Sequence, residues 1–162
     1  MPAAATLFPP MAERRLDLPD EAATASLARR IAALAEAGDV IALRGDLGTG
    51  KTFFARAFIA ESDVPSPTFT LVQTYQKPGK GQIWHFDLYR LKQPQEAIEL
   101  DIDDAFAEGI SLIEWPERLG GLLPGERLDV ALAIPGGSGA ESCRRSATLT
   151  GHGRWASLLD RL

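Results

Sequence analysis

One cysteine in 162 residues, Cys143, closes no intrachain disulfide and builds no cysteine metal site, which points to a reducing compartment. Two histidines, His85 and His152, exclude a histidine metal cluster. No apolar run approaches the roughly 20 residues of a membrane-spanning helix, and residues 1–11 lack the charged start and unbroken apolar core of a signal peptide. The expectation is a cytoplasmic chain without membrane association, with a flexible tail over residues 1–12 and a single domain over 13–162. Positive charge is also scarce. Seventeen Lys plus Arg against 22 Asp plus Glu leave a net charge of −5, so the chain as a whole repels phosphate backbones and autonomous nucleic-acid binding is disfavoured. The pairs Arg14-Arg15, Arg29-Arg30 and Arg144-Arg145 lie far apart in sequence, and each reads as a solvated face.

What is present is the 45% hydrophobic and 24% charged composition of an ordinary globular domain. Residues 19–38 predict an amphipathic helix, with Asp20 and Glu21 in its first turn and Gly38 as its stop. Residues 40–43 form an aliphatic run without alternation, as expected of a strand covered on both faces. A glycine-rich turn and a second helix over 51–60 follow. Residues 69–75 and 82–91 read as extended, and Lys77-Pro78-Gly79-Lys80-Gly81 makes them an antiparallel hairpin. Residues 93–108 predict helix, in one piece or in two, with Ile98, Ile102 and Phe106 spaced by four. Residues 110–115, 128–134 and 146–150 predict strands, and 155–162 a closing helix. The fold class is α/β: a P-loop NTPase-type mixed central sheet with flanking helices and an antiparallel hairpin.

Gly45-Asp46-Leu47-Gly48-Thr49-Gly50-Lys51-Thr52 fits G-x-x-x-x-G-K-[ST] and lies after a buried strand and before a helix, where such a loop must lie to work. Glycines open backbone conformations closed to other residues and let consecutive N–H groups face phosphate oxygens. Helix initiation at Gly50 adds unpaired N–H donors and the positive end of the helix dipole. Lys51 adds a full charge toward the β and γ phosphates, and Thr52 offers a hydroxyl to Mg2+. The loop reads as a nucleoside triphosphate site.

Such a site also needs a carboxylate near Mg2+ and a group that positions water. Glu114 ends the apolar strand 110–113, the expected place for the metal-side acid, and Asp87 sits in His85-Phe86-Asp87-Leu88-Tyr89-Arg90, an otherwise extended segment. Ser66-Pro67-Thr68-Phe69 reads either as a switch segment with Thr68 near the γ phosphate or as a plain proline turn. His85 alone reads as structural. Trp115 fits both a nucleotide flank and a core aromatic.

With Ser-Pro-Thr-Phe-Thr-Leu-Val from Ser66, His-Phe-Asp-Leu-Tyr-Arg-Leu from His85 and Ile-Glu-Trp-Pro-Glu from Ile113 following the P-loop in order, the chain resembles the bacterial TsaE family, the ATPases of tRNA threonylcarbamoyladenosine biosynthesis. The resemblance spans about residues 16–150. It implies a small ATPase, with ATP and Mg2+ as its cofactors and slow hydrolysis without partners. This ATPase joins a TsaB and TsaD pair, supports repeated threonylcarbamoyl transfer without performing it, and meets tRNA only through the complex. Carried over by motif position, Lys51 and Thr52 hold phosphate and Mg2+, Glu114 is the metal-side acid, Asp87 the second functional acid, and Thr68 part of a mobile loop. Pro19-Asp20-Glu21 resembles the family's segment beside the nucleotide, which makes Glu21 a base-side contact, with Arg144 a looser candidate. Thr49 and Phe69 depart from the Ala and Tyr expected there, and the loop 135–143 is Gly/Ser-rich.

Two other classes use the same loop. A small-molecule kinase must also bind an acceptor hydroxyl and usually closes a basic lid, whereas 93–108, the candidate lid here, is acidic. A non-hydrolysing nucleotide-gated binding module needs no catalytic acids, and this chain carries both Asp87 and Glu114.

Overall fold

The structure, a computed structural model, describes residues 10–61, 64–136 and 143–162. Its seven-stranded mixed sheet runs β1 (Met11–Leu18), β7 (Arg145–His152), β6 (Leu128–Ala133), β2 (Val40–Arg44), β5 (Ile110–Glu114), β4 (Gly81–Asp87) and β3 (Val72–Lys77). The four central strands β6, β2, β5 and β4 pair in parallel; β3 pairs antiparallel with β4, and β7 with β6 and β1. Among the described residues no helix is long and apolar enough to cross a membrane.

Period-two alternation divides the central strands between two apolar layers. Ile41, Leu43 and Leu112 pack on one side with Leu27 and Ile31 of α1 (Glu21–Leu34), Phe54 and Phe58 of α2 (Lys51–Ile59) and Trp155 of α4 (Arg154–Leu158). Val40, Phe86 and Ile113 pack on the other with Ile102 and Ala105 of α3 (Ile102–Glu108) and Leu119. Both faces of β2 and β5 are therefore covered, which explains why their sequences do not alternate.

Several boundaries differ from the sequence expectation. The strand β1 takes in Met11 and Ala12, which the sequence reading gave to the tail; residues 1–9 of that tail lie outside the described residues. No strand was expected over Met11–Leu18, because the charged residues Glu13, Arg14, Arg15 and Asp17 hide the alternation of an edge strand. The first helix starts at Glu21, with the Asp20 carboxylate capping it through Ala23 N–H, and stops at Leu34; Gly38 instead supplies a positive φ of 94° in the turn into β2. Phe69 and Thr70 lie in turns, and β3 begins only after Leu71, whose φ is 67°. Residues 93–108 do divide, at Asp101 with φ 60°, into a 3-10 helix (Pro94–Leu100) and α3. That break dissolves the expected stripe: Ile102 is buried, but Ile98 is 51% exposed. The closing helix is α4 plus a 3-10 turn at Leu159–Arg161. Of the loop 135–143, residues 137–142 lie outside the described residues.

Candidate functional site

β2 delivers the chain to the C-terminal edge of the parallel strands, where ligands of open α/β sheets bind. Gly45 turns there with φ 141°, and a Cβ would stand 2.5 Å from the Leu132 carbonyl oxygen, so only glycine fits. Gly50 caps α2 with φ 103° and no side-chain cap, which leaves the first backbone N–H groups of the helix at the loop. Within the loop, the Asp46 carbonyl accepts from Thr49 N–H at 3.3 Å and from the Thr49 hydroxyl at 2.8 Å.

Lys51 is 5% exposed. Its ammonium donates to the carbonyls of Gly45 and Asp46 and lies 4.1 Å from the centroid of the Trp115 ring. Burial holds the amine below its ordinary value of 10.5, against the opposing charges of Glu114, Glu117, Asp87 and Asp46. Trp115 has φ 60° and carries Tyr89 against its ring, with centroids 4.9 Å apart.

The two acids come from adjacent strands in register, Asp87 of β4 opposite Glu114 of β5. Alternation puts His85 and Asp87 on the same side of β4 as Leu112 and Glu114 of β5, the side that faces α2. The Thr52 hydroxyl donates to Glu114 Oε1 at 2.9 Å, while His85 Nε2 meets Glu114 Oε2 at 2.7 Å. A carboxylate only accepts, so the imidazole donates there. The Thr68 hydroxyl donates to Asp87 Oδ2 at 3.0 Å and contacts Ser66 Oγ at 2.8 Å, and Tyr89 N–H donates to Asp87 Oδ1 at 3.1 Å. Thr68, Asp87, Glu114, Trp115 and the loop residues Leu47, Gly48, Gly50, Lys51 and Thr52 line one cleft of about 280 Å³. Asp46 meets the Lys51 ammonium through its backbone carbonyl at 3.0 Å, and Leu47 is 69% exposed at the rim.

Glu21 lies apart from that group. It is exposed at the first position of α1 and lines a smaller cleft with Thr24, Thr49, Gly50, Phe53, Cys143 and Arg145, where Cys143 Sγ lies 3.6 Å from its carboxylate. Arg144 pairs with Asp17 on the surface at 2.8 Å. Its neighbour turns inward instead: Arg145 donates to the Thr49 carbonyl at 2.9 Å and to the Gly48 carbonyl at 3.3 Å. Sequence reasoning missed Arg145, although its place in the alternation Arg145-x-Ala147-x-Leu149 was a usable signal.

Thr52, Thr68, Asp87 and Glu114 bring oxygen ligands to the cleft, the chemistry that suits a hard cation. Among the described residues no group of three or more His, Cys, Asp or Glu side chains gathers as a metal site. Thr52 Oγ1 at the start of α2 and Glu114 Oε1 at the end of β5 are hard oxygens 2.9 Å apart, of the kind that hold such a cation.

The family model for "Threonylcarbamoyl adenosine biosynthesis protein TsaE" matches residues 18–141. The chain is 41% identical over 122 residues to the tRNA threonylcarbamoyladenosine biosynthesis protein TsaE of Rickettsia bellii, covering 72% of this chain and 84% of that protein. It is 36% identical over 118 residues to the protein of the same name from Bacillus subtilis, covering 70% and 73%. Among solved structures, Bacillus subtilis YdiB superposes with a TM-score of 0.73 at 29% identity, covering 94% of this chain and 95% of that one.

Proposed function

The chain belongs to the TsaE family of threonylcarbamoyl adenosine biosynthesis proteins, and from that premise we propose that it is a Mg2+-dependent ATPase acting in this tRNA modification beside a TsaB and TsaD pair. The observation that carries the reading is the hydrogen bond from Thr52 to Glu114, which joins the end of a complete phosphate loop to the strand-end acid. In this reading the N–H groups of residues 48 and 50–52 and the Lys51 ammonium hold the β and γ phosphates, with the helix dipole adding to both. Thr52 and Glu114 would hold Mg2+, and the chemistry it would supply there is neutralisation of phosphate charge. Asp87 orients the attacking water, and Thr68 holds Asp87 through the hydroxyl bond already described.

The segment Ser66–Thr68 reaches Asp87 through one side-chain bond, so γ-phosphate binding and loss there would order and release it. The chain then docks on TsaB and TsaD in one nucleotide state and leaves in another, and tRNA is met only through that assembly. Two experiments test this. The first compares modified tRNA per complex from TsaB, TsaD, tRNA and substrates with and without the chain; repeated turnover only in its presence is the expected result. The second is retention of the chain on TsaB and TsaD in ATP, in ADP and without nucleotide. Equal retention in all three, together with phosphorylation of a small acceptor, overturns the reading in favour of a kinase. Nucleotide-dependent retention without hydrolysis favours a binding module.

A further inference from the structure

We infer that Arg145 is a positioning residue for the phosphate loop: its guanidinium holds the Gly48 and Thr49 carbonyls on the outer side of the loop and thereby keeps the Gly50 N–H turned into the phosphate cleft. This rests on the nucleotide reading given above and extends it to a residue outside all four sequence motifs.

Gly45, Gly48 and Gly50 all have positive φ, and the loop carries few side chains able to fix its peptide planes. Something external must orient those planes before phosphate arrives, or binding bears the full ordering cost. In a trans peptide the carbonyl and the following N–H point to opposite sides. The Gly48–Thr49 peptide is held at both ends, its carbonyl by Arg145 Nη2 at 3.3 Å and its N–H by the Asp46 carbonyl at 3.3 Å. The Thr49–Gly50 peptide is held at its carbonyl by Arg145 Nε at 2.9 Å, which directs the Gly50 N–H to the opposite side. Gly50 lines the phosphate cleft.

The position of Arg145 follows from the sheet. Leu18 of β1 pairs with Arg145 at the first residue of β7, and alternation turns Arg145 to the same side as buried Ala147 and Leu149, toward the α1 and α2 layer. The third nitrogen, Nη1, donates to the Arg144 carbonyl at 2.8 Å. Thus each guanidinium nitrogen has a backbone carbonyl, a use of the planar fork that an ammonium does not reproduce.

Arg145 acts on the backbone of the loop that would serve ATP and ADP alike, so its effect on binding is expected to be uniform and to appear in affinity and KM but not in kcat. The test uses the full chain and its Arg145→Lys and Arg145→Met variants, reading affinity for Mg-ADP and for pyrophosphate, kcat with ATP, and the thermal midpoint. Both variants are expected to lose about tenfold in affinity for ADP and pyrophosphate alike, with kcat within about twofold of the unaltered chain. Wild-type affinity in Arg145→Lys assigns the effect to charge and overturns the inference. So does a loss for ADP with pyrophosphate unchanged, which marks a nucleoside contact, or a fall in kcat as large as that in affinity. If Arg145→Met fails to fold, Arg145→Lys decides alone. An unaltered chain that binds neither ligand overturns the nucleotide reading as well, whereas binding in it and full binding in both variants overturns only the role of Arg145.

Discussion

His85 Nε2 lies 2.7 Å from Glu114 Oε2 with the imidazole fully buried, so a side chain from β4, and not water, fixes one oxygen of the acid that ends β5. The other oxygen is left to Thr52 at 2.9 Å. Both neighbours donate to the carboxylate, whereas an amide offers only one acceptor oxygen and obliges one neighbour to turn from donor to acceptor.

Glu114→Gln therefore replaces one of the two acceptor oxygens with an N–H₂ and removes the charge next to Thr52. The Mg2+ dependence of ATP binding is expected to weaken by about tenfold or more. Asp87→Asn keeps the size of a group that accepts from Thr68 and Tyr89, and it is expected to spare binding while lowering turnover by about 100-fold or more. Titration with labelled ATP across Mg2+ concentrations, followed by single-turnover hydrolysis, separates the two; wild-type behaviour in both variants removes both assignments.

Lys51→Ala deletes an ammonium that is buried against two carbonyls and an aromatic ring. Charge-assisted bonds to phosphate are worth about 1.5–3 kcal/mol each, so nucleotide affinity is expected to fall by at least tenfold, while the helix start tolerates Ala. A pH signature accompanies this loss. Burial lowers the Lys51 amine below 10.5, so the proton that phosphate needs leaves the free protein earlier than from an ordinary lysine. Affinity for ADP is expected to decline as pH rises toward 10.5, and Lys51→Ala is expected to lack that decline. Isothermal titrations across the alkaline range check it.

Gly45→Ala puts a methyl group at φ 141° and 2.5 Å from the Leu132 carbonyl. A shift of the loop or of β6 must follow, at an expected cost of about 1–3 kcal/mol in unfolding free energy. Gly79→Ala, where the added carbon meets nothing within 4 Å despite φ 78°, is the control and is expected to cost less. Chemical denaturation midpoints compare the two.

Asp129 gathers Arg44 and Arg127, each at 3.0 Å, and His152 at 2.9 Å. Burial pushes its carboxyl up, but the hydrogen bonds and charges of Arg127 and Arg44 outweigh this and hold it below the ordinary 3.8. A carboxyl depressed in the folded state contributes stability above its unfolded value and loses it as pH falls through the folded one. Asp129→Asn is expected to cost about 1–3 kcal/mol near neutral pH, with the difference from the unaltered chain closing below about pH 4. Thermal melts from neutral to acid pH show whether the two curves converge.

The glycine-rich loop with its flanking strand and helix, and the strand-end position of Glu114, were legible in the sequence because they depend on neighbours within a few residues: glycine conformational freedom, helix initiation and an unbroken apolar run. The division of residues 93–108 was legible for the same reason, but the stripe built on Ile98 was not, since one left-handed residue, Asp101, rotates the two halves apart. The edge strand β1 escaped because charge covers its alternation, and its place is fixed by pairing with β7, more than a hundred residues away. What only the tertiary structure decided is pairing across the sheet. Register brings Asp87 opposite Glu114 and His85 within reach of the same acid, and the return of β7 turns Arg145, not Arg144, onto the loop. A single residue of slip inverts every side chain of a strand. The sequence alone could name the residue types a phosphate site needs, but which of two adjacent arginines faces it is a property of the assembled sheet.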